Sequence, residues 1–468
     1  MKQKGVTLIV LVITIILLII LAGVTIATLV GDKGILYQAG QAKEQSSISS
    51  IEEKIQLAKA SFLLQKEKTL SECLETEIPD LKIIYTTTSG KIVAKYAEQY
   101  TVSIYEDKIW VGEYIKNTLA NNGIVGNMGE IGFLTDEGIA RKYIRSIEIE
   151  TSATTPDNFI KKWDVSETQD GTIIAYAITG DETQGYDLKI VSNGVIYTPK
   201  DSVGMFKDIG TKEGIRSGNL NLEGLDTSYT VNMERMFSYC GYQSMTDLNL
   251  GSHFSTGNVT NMNNMFSWCG YNGIQTLNLG DNFDTKKVTN MANMFAFCGY
   301  TAMSNLNLGK QFDTSNVVDM STMFSTCGYR NMKKLDLGNT FNTSKVVNMS
   351  RMFEKCGYQS MENLDLGNLF DTGNVTNMNS MFTYCGFNSM KSLHLGGYFN
   401  TTKVENMDYL FRYCGYKAMS SIIYNGTKMD FERNCANLIT NASQANFLSS
   451  NFPNCKEVTC LDSRFILQ

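Results

Sequence analysis

Seven of the chain's eleven cysteines fall at Cys240, Cys269, Cys298, Cys327, Cys356, Cys385 and Cys414, 29 residues apart every time. Thiols can pair, hold a metal or act as nucleophiles, and the spacing bears on each. A metal needs its ligands clustered, as in paired C-x-x-C motifs, and one cysteine per 29 residues makes no cluster. Stacked repeats would place successive cysteines about 5 Å apart, inside the roughly 4.4–6.8 Å Cα window of a disulfide. Bridges between repeats therefore stay open by distance. The number is odd, however, and unpaired Cys is among the most buried residue types, so the expectation is a structural ladder of buried free thiols. Cys435, Cys455 and Cys460 lie apart from it, and a bridge among them is an open alternative. Only two histidines, His253 and His394, are present. Nucleophilic catalysis by Ser or Cys needs a histidine beside the nucleophile. His253 reads as a turn residue, and His394 stands on a strand where other repeats carry Asn or Asp. No phosphate loop, H-E-x-x-H or EF-hand pattern occurs. The sequence thus offers no catalytic residue, metal ligand or cofactor site, and a binding protein is expected rather than an enzyme.

The cysteines mark a repeated unit, C-G-Y-x-x-M-x-x-L-x-L-G-x-x-F-x-T-x-x-V-x-N-M-x-x-M-F-x-x, running from about Leu220 to Ile422. Leu248-Asn249-Leu250-Gly251 returns as Leu277-Asn278-Leu279-Gly280 and as Leu335-Asp336-Leu337-Gly338. Asn261-Met262 returns at Asn290, Asn348, Asn377 and Asn406, with Asp319 the one variant. L-x-L predicts a short strand with both leucines inward, and the glycine after it a tight turn. The recurrent threonine (Thr256, Thr285, Thr314, Thr343, Thr372, Thr401) can cap a turn or short helix. V-x-x-M-x-x-M-F steps by 3 and 4, which predicts one face of a short helix. A single unit cannot bury its own leucines, so stability must come from stacking. The methionine columns belong to the core. The Tyr242-to-Tyr416 column should be half-buried with its hydroxyls outward, an exposed aromatic stripe being the alternative.

The outward strand positions form the candidate binding face. They include Asp247, Asn249, Asn278, Asn307, Asp336, Asp365 and His394, with a merely solvated face as the alternative. The motif in Phe283-Asp284-Thr285-Lys286-Lys287-Val288-Thr289-Asn290-Met291-Ala292-Asn293-Met294-Phe295 resembles the leucine-rich repeat of bacterial BspA-like surface proteins. Trp163-Asp164-Val165-Ser166 is similar to what those arrays carry upstream. The resemblance implies surface exposure and attachment to a macromolecular ligand, protein or glycan. The C-G-Y-x-x-M segment makes the present unit longer than that family's.

Ahead of the repeats the chain is organised differently. Val6 to Val30 is 25 residues without a charge, and as a helix it would be roughly 37 Å long, enough for a hydrocarbon core of about 30 Å. Lys2 and Lys4 should stay cytoplasmic, giving a single-pass cell-membrane protein with its bulk outside. Lys4-Gly5-Val6-Thr7-Leu8-Ile9 resembles the start of type IV prepilins and pseudopilins. That resemblance implies cleavage after Gly5 and methylation of Val6. The family usually has Phe where Val6 stands and Glu where Val10 stands.

The fold class expected is α+β. Residues 1–30 are a prepilin-like leader and transmembrane helix. Residues 31–70 are an amphipathic helix striped by Ile48, Ile51, Ile55, Ala58 and Phe62. Residues 71–150 are a small β-rich pilin-like domain with strands near 82–85, 101–105 and 108–111. Residues 151–217 are a β-rich cap. Residues 218–426 are a leucine-rich-repeat solenoid with a parallel sheet, and 427–468 a second cap. Net charge is −6 with no basic patch, so no nucleic-acid partner is expected. A minor pilin or pseudopilin of a type IV pilus or type II-like secretion system is the alternative function.

Overall fold

The computed structural model describes residues 35–64, 68–86, 92–97, 99–105, 108–113, 118–119, 139–152, 154–167, 171–215, 218–399, 403–406, 409–418, 421–424 and 427–428. The run from Val6 to Val30, with Gly5 before it, lies outside the described residues, as do Cys435, Cys455 and Cys460. Among the described residues no helix is long and apolar enough to cross a membrane. The chain divides into two compact units, residues 1–114 and 115–468.

In the first unit, helix α1 (Ile35–Leu64) carries the predicted stripe. Ile51, Ile55 and Ala58 are buried, while Ile48 and Phe62 at its ends are half-buried. Helix α2 (Leu70–Glu77) starts on a capping box, with Thr69 and Glu72 each accepting from the other's backbone N–H, which satisfies two otherwise unpaired donors. Strands β1 (Leu81–Thr86), β2 (Ile92–Tyr96), β3 (Tyr100–Tyr105) and β4 (Lys108–Glu113) form an antiparallel sheet in sequence order. The helices pack Ile51, Ile55, Leu74 and Ile78 against Leu81, Ile92, Val102 and Ile104. Strand β2 has no counterpart in the sequence reading. Ile92, Val93 and Ala94 are all buried, so the alternation that would reveal it is lost.

The second unit opens with strands β5 (Ile144–Glu150), β6 (Lys161–Asp164), β7 (Ile173–Thr179) and β8 (Tyr186–Ser192). They share one sheet with the first repeat strands, β10 (Leu220–Asn221) and β12 (Leu248–Asn249), in the order β12-β10-β5-β8-β7-β6. Leu220 sits in parallel register between Ile147 and Leu248, so β5 covers an edge the array would otherwise leave unpaired. A second ladder starts where β9 (Ile196–Tyr197) pairs with β11 (Leu225–Asp226). The repeats then continue as β13 (Thr276–Asn278), β14 (Asn305–Asn307), β15 (Lys334–Leu335), β16 (Asn363–Asp365), β17 (Ser392–His394) and β18 (Ser421–Tyr424), and β19 (Thr427–Lys428) turns back antiparallel on β18. Leu335, Leu364, Leu393 and Ile422 are successive parallel partners. In β13, β14 and β16 the central leucine is buried and its neighbours are exposed, as the L-x-L motif requires.

The other half of each rung corrects the sequence reading. V-x-x-M-x-x-M-F forms a chain of tight turns, not a helix. The N–H groups of Met262, Asn264, Phe266 and Trp268 donate to the carbonyls of Asn290, Ala292, Met294 and Ala296 in the next rung, at 2.8–3.0 Å. Those of Met265, Ser267 and Cys269 donate three residues back along their own rung, each at 3.1 Å. Alternate donors thus serve the stack and the turn, and all are paired. The geometry puts Asn264 and Trp268 at φ 57° and 61°, the left-handed region that a helix never uses. Asp201, Asn232, Asn261, Asn290, Asp319, Asn348, Asn377 and Asn406 bridge in succession along this half. The protein is therefore a mixed α/β chain with N-terminal helices, a β-rich middle and a periodic array of short parallel strands.

Candidate functional site: the faces of the repeat array

The interior of the array is a buried ladder of unbridged thiols. Cys240, Cys269, Cys298, Cys327, Cys356, Cys385 and Cys414 are at most 1% exposed, and none is bridged. They stack among Met, Phe and Leu columns that are buried alike. The glycine after each cysteine is obligatory. At Gly299, φ is 54° and an added Cβ would lie 2.3 Å from the Met303 side chain. Burial pushes the Cys327 thiol up to about 12, and Cys240, Cys298, Cys356 and Cys385 are raised in the same way. A thiol held neutral is neither a nucleophile nor a metal ligand. Among the described residues no group of three or more His, Cys, Asp or Glu could hold a metal ion.

The strand face carries the predicted polar column. Asp247, Asn249, Asn278, Asn307, Asp336 and Asp365 are exposed and His394 is half-buried opposite Asp365 in register. These side chains also serve the fold. Asn249, Asn278, Asn307, Asp336 and Asp365 each accept, through Oδ1, the N–H of the glycine two residues on, at 2.9–3.2 Å. That glycine is left-handed, with φ between 75° and 86°. Asn249 and Asn307 also donate to the amide oxygen of Asn221 and Asn278 in the rung before, both at 2.9 Å. The Gly338 N–H and then Lys334 hold the Asp336 carboxyl below the usual range. Asp247 differs, with its backbone N–H on Asn219 Oδ1 at 3.1 Å.

The aromatic column is half-buried along its length. Tyr242, Tyr271, Tyr300, Tyr329, Tyr358, Phe387 and Tyr416 stack with centroids 4.6–5.2 Å apart and planes within 11° of parallel. Each ring covers its neighbour's face, so the flat faces within the stack are closed to a ligand. Tyr239, Trp268 and Phe297 form a shorter parallel stack beside it.

A third outer face went unnoticed in the sequence because its residues occupy the variable positions of the motif. Val231, Thr260, Thr289, Val318, Val347 and Thr376 make a column of β-branched side chains. Val231, Val318 and Val347 are 39%, 46% and 40% exposed. Backbone bonds of 2.8–2.9 Å link each to the one before. Alongside runs Asn258, Lys287, Asn316, Lys345, Asn374, Lys403, an alternation with twice the repeat's period. Comparing rungs in pairs would have shown it.

Stacked rungs of one pattern, each with backbone donors that only the next rung satisfies, define a repeat protein. A family described as "Mycoplasma protein of unknown function, DUF285" matches residues 203–333, 271–385, 296–425 and 327–452. Together these overlapping stretches cover more than half of the chain, which belongs to that family. No curated protein and no solved structure matches it.

Proposed function

We propose that this is a membrane-anchored cell-surface protein that binds a macromolecular partner, protein or glycan, through its repeat array, with no catalytic role. One observation carries the reading. Each rung turns its thiol, thioether and phenyl groups inward and repeats its polar side chains in register on the outside. A surface with one period along its length suits an extended partner that repeats or lies along it. The resemblance of the rung to the leucine-rich repeat of BspA-like surface proteins supports attachment. The uncharged run from Val6 to Val30 would supply the anchor. The test is binding of the detergent-solubilised full chain to a panel of cell-surface proteins and glycans, with protease shaving of intact cells to report exposure. Saturable binding and cleavage of the array on intact cells are expected. Absence of saturable binding would sink the proposal, and absence of cleavage would remove its placement at the cell surface.

A separate observation favours a second reading, a minor pilin or pseudopilin. In the first unit a long helix lays one apolar stripe on a four-stranded antiparallel sheet, a layout shared with pilin-like domains, and Lys4-Gly5-Val6 resembles their processing site, with Val6 in place of the usual Phe. Mass spectrometry of the mature N-terminus decides it. A methylated Val6 supports it and an intact Met1 removes it.

A further inference from the structure

Two groups of lysines in the array differ in what they meet. Lys310, Lys334, Lys355 and Lys391 meet carboxylates of Asp281, Asp336, Glu354 and Glu362 at 3.1, 3.1, 3.7 and 3.6 Å. Lys287, Lys345 and Lys403 meet no carboxylate among the described residues. Each instead donates from Nζ to an amide Oδ1 of the rung before, on Asn258, Asn316 and Asn374, at 2.8, 2.6 and 2.6 Å. Those amides are held in turn by donation to the carbonyls of Ser228, Lys286 and Ser344, at 2.7–2.8 Å. The amide orients the ammonium but leaves its charge whole, and two of its three donors remain for a ligand.

The intervening rungs carry asparagine, so uncompensated ammonium groups recur on every second rung. At the ordinary 4.7–4.9 Å spacing of parallel strands that is roughly 9.6 Å. Beside them lies the β-branched column, a low strip of methyl groups from Val231 to Thr376. On the rung of Lys403 the column carries Glu405, whose N–H donates to the Thr376 carbonyl at 2.7 Å. From the rung of Asn258 to that of Asn374 one face thus offers a methyl group on every rung, amides on alternate rungs and a positive charge on the others. Its complement is a linear chain of flat units with apolar faces, hydroxyls at the rim and an anion on every second unit. We infer that this face binds an acidic linear polysaccharide with one carboxylate or sulfate per disaccharide, an extended disaccharide being about as long as two rungs. The inference rests on the proposed binding function and names its ligand class. Exposed ion pairs are individually weak, so affinity comes from several contacts made along one polymer and falls with salt.

The test uses the full chain in detergent with three immobilised probes. Hyaluronan fragments carry one carboxylate per disaccharide, polygalacturonate carries one on every sugar, and cello-oligosaccharides are neutral. Hyaluronan should bind most tightly and weaken with salt. The combined variant Lys287→Gln, Lys345→Gln, Lys403→Gln should lose about tenfold or more in affinity, as loss of three linked contacts implies. Its melting temperature should stay near that of the parent chain. Lys334→Gln with Lys391→Gln, on already paired lysines, should bind as the parent does. Equal binding of polygalacturonate or the neutral probe, or equal losses in the two variants, overturns the inference. A chain that binds a surface protein but none of the three probes loses this inference and keeps the proposed function. A chain that binds no macromolecule loses both.

Discussion

The hydroxyl of Thr285 donates to the carbonyl oxygen of Asp313 in the next rung, at 2.7 Å. Thr227, Thr256, Thr314 and Thr343 make the same bond to Ser255, Asp284, Asn342 and Asp371, at 2.6–2.8 Å. All five are fully buried. The recurrent threonine is therefore a staple between rungs rather than the cap of a helix within one. Its own carbonyl closes the turn by accepting the N–H of Val288 at 2.9 Å.

Thr285→Val keeps the shape and removes the staple. It should lower stability by about 1 kcal/mol, more if the Asp313 carbonyl finds no water. Thr289→Val is the control: that hydroxyl also donates between rungs, to the Thr260 carbonyl at 3.2 Å, but it is exposed to water, and valine already stands in its column at Val318 and Val347. It should stay within about 0.5 kcal/mol. Chemical denaturation followed by circular dichroism reads both. Equal effects would mean that the buried hydroxyl adds nothing beyond its shape.

The bridge column explains Asp319, the one variant among the Asn-Met pairs. Asn261, Asn290, Asn348 and Asn377 accept, through Oδ1, the N–H two residues on, at 3.0–3.1 Å, and Asp319 does so at 2.8 Å. An acceptor oxygen is what the position needs, and both residue types have it. Asp319→Asn should be nearly neutral. Asn290→Ala should cost about 1 kcal/mol by orphaning the Ala292 N–H. A shift in melting temperature as large for Asp319→Asn as for Asn290→Ala would refute this account.

These columns mark what was legible in the sequence. Leu277 between Thr276 and Asn278 announces a strand, since alternation has one simple cause. Met262, Met265, Phe266 and Cys269 do not announce their turns, because steps of 3 and 4 suit a helix equally well. The decision lies with backbone donors that must serve the next rung. The left-handed Trp268 has no signal at all, tryptophan being a poor residue for that conformation. The polar strand column could be placed outside, but its engagement with the following glycine shows only in three dimensions. Lys287 and Asn316 lay under positions that vary between rungs.

Burial gives the array a pH limit. The Cys327 thiol is pushed up to about 12 from the usual 9.0, and the Tyr329 phenol to about 12 from 10.0. Folding favours the neutral form of each, so their contribution is complete below the unfolded values and is lost as pH rises through the folded ones. Melting temperature should be insensitive to these groups near neutrality and fall between about pH 9 and 12. The same burial protects the thiols. Eight of the eleven cysteines, Cys73 and the seven of the ladder, are buried and unbridged. A thiol reagent should reach those eight only on unfolding. Fast reaction of more than three thiols in the native protein would contradict this.

The alternation of Asn258, Lys287, Asn316, Lys345, Asn374 and Lys403 keeps ammonium groups off adjacent rungs. Asn316→Lys would place three in a row at about 4.8 Å steps. It would also remove the acceptor of Lys345 Nζ and the donor to the Lys286 carbonyl. Like charges on neighbouring strands destabilise by some tenths of a kcal/mol per pair, and at an exposed site salt screens that part. Asn316→Ser loses the same amide bonds without adding charge. Both variants should melt below the parent chain, and only Asn316→Lys should recover part of its loss as salt is raised. If its deficit is the same at low and high salt, the amide bonds alone set the alternation and charge spacing has no part in it.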